Sequence, residues 1–257
     1  MGSNRPVKAA AVAALFLISC VSCGIEDYAF LYPVPSGNVS VELNHRATIR
    51  LPDIDLTDYY YFTHFAVYYR IYISGSSYPT IHTGNMNDLN PLLYADYNAI
   101  LPYTNGDTTA STATGSLLTN RNYYTLNVEG AVIENAVLAA DARGKTVTLD
   151  FMVANPQPVP SLTVDGRQYN LQRSTGSGLF RPAPANRYFF NTSELNAAAN
   201  VSNTINADVA DRAGLDSGGD RYTYAAMYIV VTGIDDNLSP IYSAPTFIGV
   251  FLLPSSQ

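Results

Sequence analysis

The stretch Phe62–Ser74, FTHFAVYYRIYIS, decides the fold. Phe65, Val67, Tyr69, Ile71 and Ile73 recur at every second position and fall on one face of a strand, while His64, Ala66, Tyr68, Arg70 and Tyr72 fall on the other. Aromatic residues on both faces require that both be covered. Twenty Tyr and no Trp in 257 residues extend the preference to the whole chain, because aromatic and β-branched residues suit a pleated, half-buried surface. A mainly β protein is the expectation.

Working outward, Val39–Leu51 alternates apolar and polar residues on either side of Asn44-His45 and stops at Pro52, which reads as two strands or one bent strand. Asp53–Asp58 is a loop. At the other end of the chain Arg221–Gly233, RYTYAAMYIVVTG, and Tyr242–Leu253, YSAPTFIGVFLL, are strong strands joined by Ile234–Pro240. The pattern x-F-x-V-Y-Y-R-I-Y of 62–74 resembles strand C of fibronectin type III domains, and the two C-terminal strands resemble the F and G strands that close an immunoglobulin-like or fibronectin-like sandwich. The resemblance implies one three-stranded sheet packed on a second sheet that contains Val39–Leu51 and a partner. Such a sandwich needs roughly 100 residues. The C-like and F-like strands lie much further apart than that allows, so 78–220 is expected to be a mixed α/β insertion packed on or beside a single composite domain.

Within that insertion, Asn87–Leu101 changes period: Leu89, Leu93, Tyr97 and Ile100 or Leu101 recur at three and four, with Pro91 placed for a first turn, which predicts a short amphipathic helix. Asn122–Glu129 and Lys145–Val153 read as strands. Ser161–Arg173 reads as a hairpin folded at Asp165-Gly166. Asn191–Arg212 opens on Thr192-Ser193-Glu194 and holds Ala197–Ala199, which predicts a second helix with a thin apolar stripe.

The N-terminus carries an address. Arg5 and Lys8 precede the apolar run Ala9–Ile18, built like the hydrophobic region of an export signal. At roughly 10 residues it is half the ~20 needed to span a bilayer. It ends in Leu17-Ile18-Ser19-Cys20, which resembles the lipobox of bacterial lipoproteins. That resemblance implies removal of residues 1–19 and acylation of Cys20, with palmitate as a representative label, and 20–38 as a lipidated tether before the domain at 39–257. Cys23, preceded by Ser22, is the alternative lipid site, and a C-x-x-C redox pair is a further reading that lacks the strand-then-helix context it needs. The following GIEDYAFLYPVPSGN is similar to the start of mature uncharacterised lipoproteins of spirochaetes, treponemes in particular. Two acyl chains make a stable anchor where one does not.

Removing the first 19 residues leaves 238, with 12 Lys+Arg against 21 Asp+Glu and a net charge of about −9. So acidic a chain has no counterion-releasing cations to offer a polyphosphate, which argues against nucleic acid as a partner. No basic cluster holds the domain to anionic lipid. His45, His64 and His82 are about 20 residues apart, without the close spacing of a zinc site. Asp53, Asp55 and Asp58 are weak candidates for a hard cation such as calcium, in a loop lacking the EF-hand's glycine and terminal glutamate. Asp235-Asp236-Asn237 reads as a turn. No G-x-S-x-G elbow and no motif selecting a carboxylate pair is present. No catalytic residue or cofactor is assigned. Tyr59–Phe62 and Tyr68-Tyr69 invite either core packing or a contact surface, since Tyr is enriched in both settings. The expected role is a non-enzymatic, lipid-anchored binding module on the outer membrane surface or periplasmic face, with a protein or host ligand as possible partner. A lipid-anchored envelope hydrolase and a passive structural protein are the alternatives.

Overall fold

The computed structural model describes residues 31–42, 45–55, 61–74, 86–104, 117–128, 138–151, 160–173, 208–210 and 222–253. Two sheets face each other. The first is built on β3 (Phe62–Ser74) and β9 (Tyr222–Ile234), antiparallel from Phe62 opposite Gly233 to Ser74 opposite Tyr222. The far edge of β9 carries β10 (Pro240–Tyr242) and then β11 (Thr246–Leu252). The expected side-by-side placement of the three strongest strands is therefore what forms.

The second sheet runs in the order β1 (Val39–Glu42), β2 (Arg46–Arg50), β6 (Thr146–Asp150), β7 (Ser161–Val164), β8 (Arg167–Gln172) and β5 (Asn127–Val128). Val39–Leu51 is a hairpin of two strands. At the β7–β8 turn Asp165 and Gly166 both take positive φ, 53° and 74°, the requirement of the two-residue turn expected there. β6, β7 and β8, drawn from the 78–220 stretch, extend the sheet that β1 and β2 begin. Asn122–Glu129 yields two short strands. β4 (Tyr124–Thr125) pairs with Tyr69 and Tyr68 of β3, and β5 three residues on pairs with β8, so one segment ties the two sheets at an edge.

Three departures from the sequence reading have local causes. The last strand is split because the Ser243 hydroxyl, rather than a backbone carbonyl, accepts the Val231 N–H at 2.9 Å, and Pro245 has no N–H to give. The helix expected at 87–101 is two helices, α1 (Met86–Leu89) and α2 (Pro91–Thr104). Asn90 separates them: its Oδ1 accepts the N–H groups of Leu92 and Leu93 as an N-cap, with Pro91 in the first position of α2. The helix predicted at 191–212 falls mostly outside the described residues, and in its described part, Asp208–Ala210, Val209 forms an isolated bridge to Ile71 between a turn and a bend. That part runs parallel beside β3, the Ile71 N–H donating to the Asp208 carbonyl and the Ala210 N–H to the Ile71 carbonyl. A strand edge and a buried partner for the Asp208 side chain outweigh the weak helical stripe.

The alternation of β3 sorts two cores. Phe65, Val67, Tyr69, Ile71 and Ile73 join Ala47, Ile49, Val147, Leu149 and Leu162 between the sheets, where Phe151 and Phe251 stack with centroids 4.9 Å apart. Ala66, Tyr68 and Tyr72 face the other way and pack with Tyr224, Tyr228, Tyr123, Leu93 and Ile100 under α2.

Candidate binding surface

Cys20 and Cys23 lie outside the described residues. Of the three loop carboxylates, Asp53 and Asp55 are exposed and Asp58 falls outside the described residues. Among the described residues no group of three His, Cys, Asp or Glu is placed to hold a metal ion. Asp235 and Asp236 do what a turn asks of them: Asp235 Oδ1 accepts the N–H groups of Asn237 at 2.9 Å and Ser239 at 2.7 Å, and Asp236 accepts from Tyr61 Oη at 3.0 Å.

His82 is likewise outside, but His64 is engaged. Its Nδ1 lies 3.0 Å from Thr63 Oγ1 and 2.9 Å from Thr232 Oγ1, and burial lowers its pKa by disfavouring the imidazolium. The unfolded chain therefore takes up this proton first as pH falls through the ordinary histidine value. Stability is lost from about pH 6.5 downward until the folded-state pKa is passed. Thermal melts between pH 8 and pH 5 should show a steeper fall in Tm for the wild type than for His64→Gln. Parallel profiles would remove His64 as the cause.

A polar cluster sits between the first sheet and α2. Asp96, on the inner side of the helix, accepts from Arg70 Nη1 at 2.5 Å and from Tyr72 Oη at 2.6 Å. Tyr72 Oη meets Tyr123 Oη at 3.0 Å, Tyr123 packs edge-on against Tyr228, and the Arg70 guanidinium lies over the Tyr72 ring. Arg121 Nε stands 4.0 Å from the second Asp96 oxygen. Burial, with the Asp96 charge next for Tyr72 and the Tyr72 phenol next for Tyr123, drives both phenols well above the usual tyrosine pKa. These hydroxyls thus stay protonated and act as hydrogen-bond donors. The cluster is a clamp that fixes the register of α2 on the sheet, and its chemistry is that of positioning.

What the clamp positions is the outer side of α2. Pro91, Leu92, Tyr94, Ala95, Asn98, Leu101, Pro102 and Tyr103 are exposed there, and the only charge on the helix, Asp96, is turned inward. The two tyrosine runs read from the sequence go elsewhere: Tyr68 and Tyr69 are buried, and Tyr59 and Tyr60 are outside the described residues. Of the exposed tyrosines of α2, Tyr94 was legible only as a position left over from the three-and-four spacing, and Tyr103 lies beyond the helix predicted at 87–101. Leu92, Tyr94 and Leu101 give the outer side exposed apolar side chains around the polar Asn98. No described helix is long and apolar enough to cross a membrane. Set against protein-family models, curated proteins and solved structures, the chain matches none of them.

Proposed function

We propose that this chain is an exported bacterial lipoprotein of the spirochaete type, held at a membrane by acyl groups on Cys20, whose β-sandwich presents a non-enzymatic contact surface to a protein or ligand in or outside the cell envelope. The observation that carries the reading is Leu17-Ile18-Ser19-Cys20 after a charged and then apolar N-terminus. The uncharged outer side of α2 supports the second half: rigid aromatic and aliphatic side chains held by an internal clamp make a surface with little conformational entropy to lose on contact.

The anchor has a direct test. Cys20→Ala should abolish palmitate incorporation and release the protein from the membrane fraction, while Cys23→Ala should leave both unchanged. The reverse pattern would move the lipid to Cys23, and a wild-type protein that takes up no palmitate would remove the lipoprotein reading. Protease shaving of intact cells then separates an outward-facing domain, which is lost, from a periplasmic one, which survives.

A further inference from the structure

The end of the sandwich where the described chain begins carries a second apolar feature. Leu31 is buried at the base of the β9–β10 loop: a Cβ on Gly233 would strike the Tyr61 carbonyl and lie 3.0 Å from Leu31 Cδ1. From there the chain passes to Val34, whose carbonyl accepts from Thr246 Oγ1 beside β11, so Leu31 marks the loop end of the sheet. Around it stand three exposed apolar side chains, Leu238 at 83 %, Tyr32 at 62 % and Ile234 at 41 %. Leu238 is at the tip of the loop with φ 61°, a conformation that glycine or asparagine adopts at much lower cost than a γ-branched residue. Neither the loop's hydrogen bonds nor the core uses its side chain. An apolar residue kept at a strained, fully solvated tip calls for a partner outside the domain.

Resting on the lipid-anchored reading above, the geometry points to that partner: we propose that Tyr32, Ile234 and Leu238 touch the zwitterionic headgroup–acyl boundary of the bilayer that holds the lipid on Cys20, with Leu238 inserted. The length of chain argues for this end. Cys20 and Leu31 are eleven residues apart, a reach of at most about 40 Å. β3 starts at this end and runs about 36 Å between Phe62 and Ile73, so bringing the other end to the bilayer would consume nearly the whole tether. The composition fits the interface too: Tyr is enriched at the headgroup level, and aliphatic side chains reach the acyl boundary below it. The two loop carboxylates, Asp235 bonded by Asn237 and Ser239 and Asp236 by Tyr61, make this end acidic and select against anionic lipid.

The chain has no Trp, so one introduced indole reports one position. Full-length acylated Leu238→Trp and Leu92→Trp would be reconstituted in phosphatidylcholine vesicles with plain or brominated acyl chains. Leu92 is a matched control: it is exposed on α2 next to Asn90, whose Nδ2 bonds to the Ile73 carbonyl at the opposite end of β3. The expected result is a blue-shifted Leu238→Trp emission that brominated lipid quenches, with Leu92→Trp unshifted and unquenched. Ile234→Trp should behave like Leu238→Trp and guards against distortion of the tip. Chains that float with the vesicles while the loop indoles are unquenched, or quenched no more than Leu92→Trp, would overturn the contact and leave the anchor standing. Chains that do not float would overturn both.

Discussion

Replacing Asp208 with alanine is expected to destabilise the fold by about 3–5 kcal/mol, because it takes from the wholly buried Arg173 guanidinium the carboxylate that its Nε and Nη2 reach. Both side chains are completely buried. Arg173 Nε and Nη2 reach Asp208 Oδ2 and Oδ1 at 2.8 and 2.5 Å, a fork that pairs two donors with two acceptors. Tyr69 Oη adds a third donor at 2.8 Å. The three groups come from different places: Arg173 directly after β8 of the second sheet, Tyr69 from the middle of β3 in the first, and Asp208 from the segment lying along the β3 edge. The cluster therefore fastens both sheets and the 208–210 segment at one point. Urea unfolding should show the full loss for Asp208→Ala and about 1 kcal/mol, the worth of one hydrogen bond, for Tyr69→Phe. The double variant Arg173→Met with Asp208→Leu should recover much of the loss, since exchanging a buried pair for apolar volume is often neutral. An Asp208→Ala protein within 1 kcal/mol of wild type would show that the pair is not what holds the segment.

The second large effect is expected at Asp96. Asp96→Ala removes the acceptor of Arg70 and of Tyr72 Oη together, in a place where Arg70 and Asp96 keep only 13 % and 15 % of their side-chain surface. Orphaned buried donors cost about 1–3 kcal/mol each, and the small remaining exposure lets water reach Arg70, so a total of about 2–3 kcal/mol is expected. The location of the loss matters more than its size. Amide exchange should accelerate in α2 and in 117–123, while the β3–β9 ladder, which packs on its other face against the second sheet, keeps its protection. Asp96→Asn, which still accepts from Tyr72, should fall between the two. Uniform acceleration across the sheets would mean that the cluster is part of the global core rather than a clamp for the helix.

These two clusters show how far the residues could be read in advance. The alternation of β3 was enough to assign Tyr69 and Tyr72 to opposite faces, and the two faces are indeed two cores. It could not supply their partners. Asp208 lies 139 residues from Tyr69 and 35 from Arg173, in a stretch whose own pattern favours a helix, and no local signal marks an aspartate that will be wholly buried. Asp96 was visible as one polar residue on a predicted helix, but its pairing with Arg70 follows from which side of α2 meets the sheet. The β7–β8 turn was readable because Asp-Gly satisfies a positive-φ requirement within two residues. The split near Ser243 was not, because it depends on a hydroxyl accepting the N–H of Val231 on the neighbouring strand.

By itself the sequence determined the strands, their faces, the Asp165-Gly166 hairpin and the apolar, cysteine-terminated N-terminus, because each is written in contiguous residues with a period of two, a turn dipeptide or an unbroken run. Only the tertiary structure decided that β6 to β8 complete the sandwich, that 208–210 lies along β3, and that Leu238 stands exposed at the same end of the sheet as the buried Leu31. Each of those depends on a partner tens to hundreds of residues away. A local pattern fixes what a segment must bury, and the long-range fit alone fixes what it buries against.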